Sequence, residues 1–200
     1  EEADSIIGAG KADLVSIGRA FIADHLWALK AKKKILIRPC IRCFVCLDEA
    51  TKSRIIGCSV NPNVLADEKN SLKKAKKPKK IIIAGAGPAG INCALSLHER
   101  GHMVEIYEKN KQIGGKLIAS SVKGLNYEHK DLLDYYRNEL LKKGIKIYTQ
   151  TAVDGKMLLS KDPDVLIIAI GANQKVPAIN GIEGKNVIGV VEAFKNAHRL

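Results

Sequence analysis

Lys80-Ile81-Ile82-Ile83-Ala84-Gly85-Ala86-Gly87-Pro88-Ala89-Gly90 is the stretch on which the reading of the fold depends. Five residues of strand character run into G-x-G-x-x-G, and a helical pattern follows from about Pro88 to Arg100. Pro88 suits a first helical turn and Gly101 suits the stop. Met103 to Tyr107 is a second apolar strand, closed by Glu108. Each part has a physical task. Gly85 permits the tight turn, Gly87 lets a pyrophosphate approach the backbone, and Gly90 lets helix and strand pack closely. The helix start favours the diphosphate, and Glu108 offers acceptors to a ribose diol. A lone glycine motif signals little, but the strand, the helix and the terminal acid together define a dinucleotide site. An acid rather than a base at position 108 favours FAD or NAD over a 2′-phosphorylated cofactor.

The signals continue to alternate downstream. Ile113-Gly114-Gly115-Lys116-Leu117 carries a second glycine pair, able to approach a ligand. Residues 129–143 form an amphipathic helix with Leu132, Leu133, Tyr136 and Leu140 on the sheet side. Ile145 to Thr149 reads as a strand. Asp164 to Ile170 reads as a buried-type strand breaking at Gly171, beside the nucleotide crevice. Val176 to Gly184 is a loop, and residues 192–200 read as a helix. The pattern is that of an α/β domain built on a parallel sheet.

Upstream lies a second constellation. Cys40, Cys43, Cys46 and Cys58 fall within nineteen residues, spaced C-x2-C-x2-C-x11-C. Thiolates so spaced can converge on a [4Fe-4S] cluster or on a structural Zn²⁺. The nucleotide site that follows within thirty residues favours iron–sulfur. Before the cysteines, Ala12 to Ile17 is of strand length and stops at Gly18-Arg19. Ala20 to Lys30 then reads as a helix with Phe21, Leu26 and Leu29 inward, and Ile35 to Ile37 is a short apolar run leading to the cysteines. Gly18 and Arg19 offer a close backbone and a forked cation to a phosphate; a surface arginine after a strand is the simpler alternative. The fifth cysteine, Cys93, reads as a small buried hydrophobe in the first helix of the nucleotide unit. The five histidines are scattered, without metal or triad spacing.

Composition sets the bounds. Two hundred residues, 46% of them hydrophobic, suffice for one or two domains with a core. No apolar run reaches membrane-spanning length. Clustered cysteines without a secretory signal suit a reducing, cytoplasmic compartment. The chain opens in mid-pattern without an initiating Met, which reads as a piece of a longer protein. The net charge is +12, and seven lysines fall between Lys69 and Lys80. That run has no interleaved aromatics, so it reads as a solvated linker and not as a nucleic-acid site. A basic surface would attract anionic dinucleotides or an acidic substrate. The expected divisions are 1–35, 36–68 with the cysteines, a linker at 69–78, and the nucleotide-binding domain at 79–200.

Taken in order, these motifs resemble one family: the multi-centre NADH:flavin oxidoreductases related to old yellow enzyme, such as 2-enoate reductase and trimethylamine dehydrogenase. The resemblance rests on Asp13 to Asp24, Arg38 to Cys43, Cys58 to Pro62, and Gly85 to Gly90. It implies that residues 1–35 end a TIM barrel, with Gly18 and Arg19 at the FMN phosphate. It implies [4Fe-4S] on Cys40, Cys43, Cys46 and Cys58, and a Rossmann-like domain for FAD and NAD(P)H. Gly85, Gly87, Pro88, Ala89, Gly90, Glu108, Lys109, Gly115 and Lys116 would contact FAD, with Val153 at the adenine and Gly171 beside the nucleotide crevice. Electrons would pass from NADH through FAD, the cluster and FMN to an enoate or enoyl-CoA, with no nucleic-acid or membrane partner. A homo-oligomer of the full-length protein is compatible with this picture. Substrate acids and bases would lie outside this chain. The sequence departs from the family at Phe44, where Asn is common, and at Ile170, where Thr is usual. Two further readings are an FAD and iron–sulfur subunit of the glutamate-synthase small-subunit type, and a zinc-stabilised binding module.

Overall fold

The computed structural model describes residues 2–65, 72–122 and 126–197. The chain divides into two compact units, Glu1–Leu65 and Ala66–Leu200.

The first unit is short helices joined by extended loops: α1 (Glu2–Gly8), α2 (Arg19–Ala23), α3 (Trp27–Lys32) and α4 (Val45–Thr51). The strand expected at 12–17 is an extended loop, as is the run at 35–37, because no strand pairs with either among the described residues. The helix expected from Ala20 to Lys30 is broken at Asp24. The buried Asp24 carboxylate accepts the backbone N–H of Leu26 at 3.2 Å, which stops the helix and redirects the chain into α3. Phe21, Leu26 and Leu29, expected inward, are instead 38%, 42% and 46% exposed. Phe21 packs on Trp27 with ring centroids 5.8 Å apart.

The second unit is built on β1 (Lys80–Ala84), followed by α5 (Pro88–Glu99), β2 (Met103–Tyr107), α6 (Lys116–Ser120) and α7 (Tyr127–Lys142). β3 (Lys146–Tyr148), α8 (Gly155–Lys161), β4 (Val165–Ile168) and α9 (Val190–Lys195) complete it. The sheet is parallel in the order β3-β2-β1-β4. β1 is central because its residues are apolar on both faces: Ile81, Ile82, Ile83 and Ala84 are all buried. α7 covers the sheet with Leu132, Leu133, Tyr136 and Leu140, each at most 4% exposed. Each such side chain contributes about 1.5–3 kcal/mol by leaving water. The last strand is shorter than expected, and among the described residues it pairs with β1 alone. Ile168 is 69% exposed, since apolar composition alone does not say how many neighbours a strand has. The C-terminal helix ends at Lys195; the expectation that it runs through 198–200 falls outside the described residues, as do parts of the linker and of the cysteine segment.

Candidate functional site

The glycine loop is shaped by contacts between backbones. Gly85 has φ +105°, and a Cβ there would lie 2.4 Å from the Ala169 carbonyl oxygen at the end of β4. A Cβ on Gly90 would lie 2.1 Å from the Gly85 carbonyl oxygen, so α5 enters at a distance only glycine allows. Gly87 differs: nothing lies within 4 Å of where its Cβ would point. It is the residue before α5, with Pro88 in the first turn, and no side chain caps the helix. The free N–H groups of a twelve-residue helix therefore face an open backbone surface, which favours an anion. The Gly114 N–H donates to the Ala86 carbonyl at 2.7 Å, which lays the second glycine pair against the first loop.

Glu108 is only 5% exposed, and its carboxylate spans the loop. One oxygen accepts the Ala86 N–H at 2.9 Å. The other accepts the Asn110 backbone N–H at 2.8 Å and its side-chain amide at 2.6 Å. A carboxylate has about four lone-pair sites, so capacity for a ribose hydroxyl remains. The pinning of the glycine loop by Glu108, and the part of Asn110 in it, could not be foreseen from the motif. The Thr151 N–H donates to the Glu108 carbonyl and the Gln150 N–H to that of Asn110, which brings the half-buried Val153 segment alongside. Lys109, Lys116, Ala89 and Gly171 are exposed. Lys116 and Gly115 line a cleft of about 810 Å³ with Asn110, Ile118, Val191 and Phe194. The cleft therefore borders the glycine loops instead of lying over Gly87.

In the first unit, Cys40, Cys46 and Cys58 are half-buried and Cys43 is exposed, and all are free thiols. The loop that bears them is closed at its base by polar side chains. Asp24 accepts the Arg38 backbone N–H at 2.9 Å and the Lys30 ammonium at 2.6 Å. The Arg38 guanidinium donates to Asn61 Oδ1 at 2.9 Å, and Asn61 Nδ2 donates to the Ile22 carbonyl at 2.9 Å. Arg38 precedes Cys40 and Asn61 follows Cys58, so this clasp joins the two ends of the loop to the end of α2. It is also why 1–35 and the cysteine segment form one unit. Burial raises the pKa of Asp24, but Lys30 and the N–H groups of Arg38 and Leu26 outweigh it, and the net shift is downward.

The Cys43 sulfur lies 3.2 Å from the Ser59 hydroxyl, beside Cys58. Burial raises its pKa; the Ser59 hydroxyl and the N–H groups of Val45, Cys43 and Ser59 lower it by more. The donor set is thiols alone, a chemistry that suits an iron–sulfur cluster and a zinc ion alike, and the surroundings of Cys43 favour its thiolate. Among the described residues no three His, Cys, Asp or Glu side chains are gathered so as to hold a metal ion of either kind. Gly18 is exposed, with open space at its Cα. The Arg19 guanidinium lies 4.5 Å over the Phe44 ring, and its Nη1 is buried with no hydrogen-bond partner among the described residues. That orphaned donor fits a phosphate. No helix among the described residues is long and apolar enough to cross a membrane.

A parallel sheet, a glycine loop closed on its own backbone and an acid at the end of β2 define a dinucleotide-binding oxidoreductase domain. The chain belongs to the pyridine nucleotide-disulphide oxidoreductase family, whose model matches residues 79–200. Over nearly its whole length it is also similar to proteins of the old yellow enzyme-like group named above. It is 34% identical over 191 residues to an NADH oxidase of Thermoanaerobacter brockii, covering 93% of this chain and 29% of that protein. It is 29% identical over 183 residues to a cinnamate reductase of Clostridium sporogenes, covering 90% and 27%. The structure of a 2-naphthoyl-CoA reductase in complex with 2-naphthoyl-CoA superposes with a TM-score of 0.86 at 32% identity, covering 98% of this chain and 30% of that one. The chain thus spans less than a third of the length of these relatives.

Proposed function

We propose that this chain is the electron-relay portion of an NADH-dependent flavin and iron–sulfur oxidoreductase that reduces the activated C=C bond of an enoate or enoyl-CoA. The observation that carries the reading is the succession, in one chain, of a clasped four-cysteine loop and a glycine loop pinned by Glu108. Cinnamate is an enoate, and naphthoyl-CoA is a conjugated acyl-CoA, which supports the substrate class.

The start of α5, with Gly85, Gly87, Pro88, Ala89 and Gly90, would hold the pyrophosphate of FAD. Glu108 would use its remaining acceptor capacity on the ribose. Gly115 would let a ligand approach, Lys109 and Lys116 would neutralise charge, and Val153 and Gly171 would flank the dinucleotide. Cys40, Cys43, Cys46 and Cys58 would hold [4Fe-4S]. Gly18 and Arg19, at the end of a TIM barrel, would take the FMN phosphate, where the buried Nη1 lacks a hydrogen-bond partner among the described residues. Once bound, these groups and NAD(P)H supply hydride transfer and single-electron transfer; the chain supplies their seats and N–H donors. Free thiols and a basic surface suit a reducing cytoplasm and an anionic substrate.

The test is anaerobic purification of the intact protein. It should be brown, hold about four irons per chain together with flavin, and bleach when NADH is added, with cinnamate-type acids or their CoA esters then restoring the colour. A colourless protein with one zinc would overturn this in favour of a binding module. Brown, NADH-reducible protein without FMN, inert to every enoate, would favour the glutamate-synthase type of subunit.

A further inference from the structure

The surroundings of Cys43 have a consequence beyond ligation. Its sulfur lies 3.2 Å from Ser59 Oγ. Arg42 and Phe44, on either side, have φ values of +52° and +60°. Left-handed residues beside ordinary ones fold the backbone into a concavity whose N–H groups converge, a shape suited to negative charge. The free thiol donates its proton to Ser59. As a thiolate ligand Cys43 has no proton to give, and the Ser59 hydroxyl becomes the donor.

We propose that Ser59 tunes the reduction potential of the cluster held by Cys40, Cys43, Cys46 and Cys58, raising it through a hydrogen bond to the Cys43 sulfur. Reduction adds one electron to the cluster, and the added negative charge is shared with its thiolates. A donor at sulfur stabilises the reduced form more than the oxidised form. Ser59 is well placed because it follows Cys58: the turn that returns the fourth ligand delivers the hydroxyl to the second. The donor is a side-chain hydroxyl, so substitution can remove it.

The inference rests on the four-cysteine reading above. In the intact protein, purified anaerobically, Ser59→Ala and Ser59→Thr are compared with the parent by iron content. The midpoint potential is then followed through the paramagnetic signal of the reduced cluster during a dithionite titration. All three should hold the same iron. Ser59→Ala should be harder to reduce, by up to about tenfold in the equilibrium, or 59 mV for one electron, and Ser59→Thr should keep the parental value. Equal potentials at full iron content would overturn the tuning role alone. Iron lost from Ser59→Ala but retained by Ser59→Thr would also overturn it, since the hydroxyl would then be holding the loop together. No iron in the parent would overturn the four-cysteine reading itself.

Discussion

Residues 66–200 bury Ile81, Ile82, Ile83, Ile91 and Ile106 in and against the sheet, and Leu132, Tyr136 and Leu140 from α7. In Glu1–Leu65 the buried apolar side chains among the described residues are Ala23 and Val60, and beside them lie the polar Asp24 and Asn61. The second unit is held by the transfer of apolar surface out of water, and its site is a by-product of that packing: Gly85 and Gly90 are where strand and helix meet. The first unit buries too little apolar surface for that: Leu14, Leu29, Leu47 and Ile55 are all exposed. It is held by directional hydrogen bonds around a loop of thiols, and binding of a metal centre would contribute directly to its folding, as it does in small metal-stabilised domains. One site is pre-built; the other is clasped at its base, with its thiols not drawn around one point among the described residues.

The sharpest challenge to this contrast is Gly90→Ala. The added methyl would meet the Gly85 carbonyl oxygen at 2.1 Å, and neither backbone can yield without moving α5 or β1. A destabilisation near the top of the ~1–3 kcal/mol range for overpacking is expected, with loss of bound flavin and no loss of iron. Thermal unfolding and cofactor content of the intact protein measure both; an unchanged melting temperature would refute the close approach.

Asn61→Ala should do the reverse. It removes the amide that links Arg38, Ile22 and Asn63. A cost of about 1–3 kcal/mol is expected for buried groups left without this partner. The damage should stay in the first unit: faster proteolysis between 38 and 61 and faster iron loss to a chelator, with flavin content unchanged. Equal damage to flavin binding would mean that the two units are not independent.

The smallest effect concerns acid. The pKa of Asp24 is lower folded than unfolded. Its contribution is therefore complete above the unfolded value, near 3.9, and disappears as pH falls through the lowered folded value. Hydrogen exchange around Arg38 should accelerate in that window before the β1 core does. Asp24→Asn should flatten the dependence.

Much of the nucleotide unit was legible because its signals are local. β1 and β2 lie at the expected residues, and α5 ends one residue from the expected stop, since glycine, proline and apolar runs act on their own neighbourhoods. The first unit was read less well. A strand was expected at 12–17 because Leu14, Val15 and Ile17 are apolar, but a strand exists only where another chain segment completes its ladder. The helix through Asp24 failed for a related reason: its carboxylate is taken by Arg38, fourteen residues away, a partner that periodicity does not reveal.

From residue order alone came the parallel α/β unit, the glycine loop with its terminal acid, and the grouping of four cysteines, because turn chemistry and spacing are properties of short segments. Folding in three dimensions decided that Glu108 grips Ala86 and Asn110, that Asp24 and Asn61 close the cysteine loop, and that Ser59 reaches Cys43. Those contacts join residues from 2 to 39 positions apart. A hydrogen bond depends on a few tenths of an ångström and on angle, which only the packed chain can set.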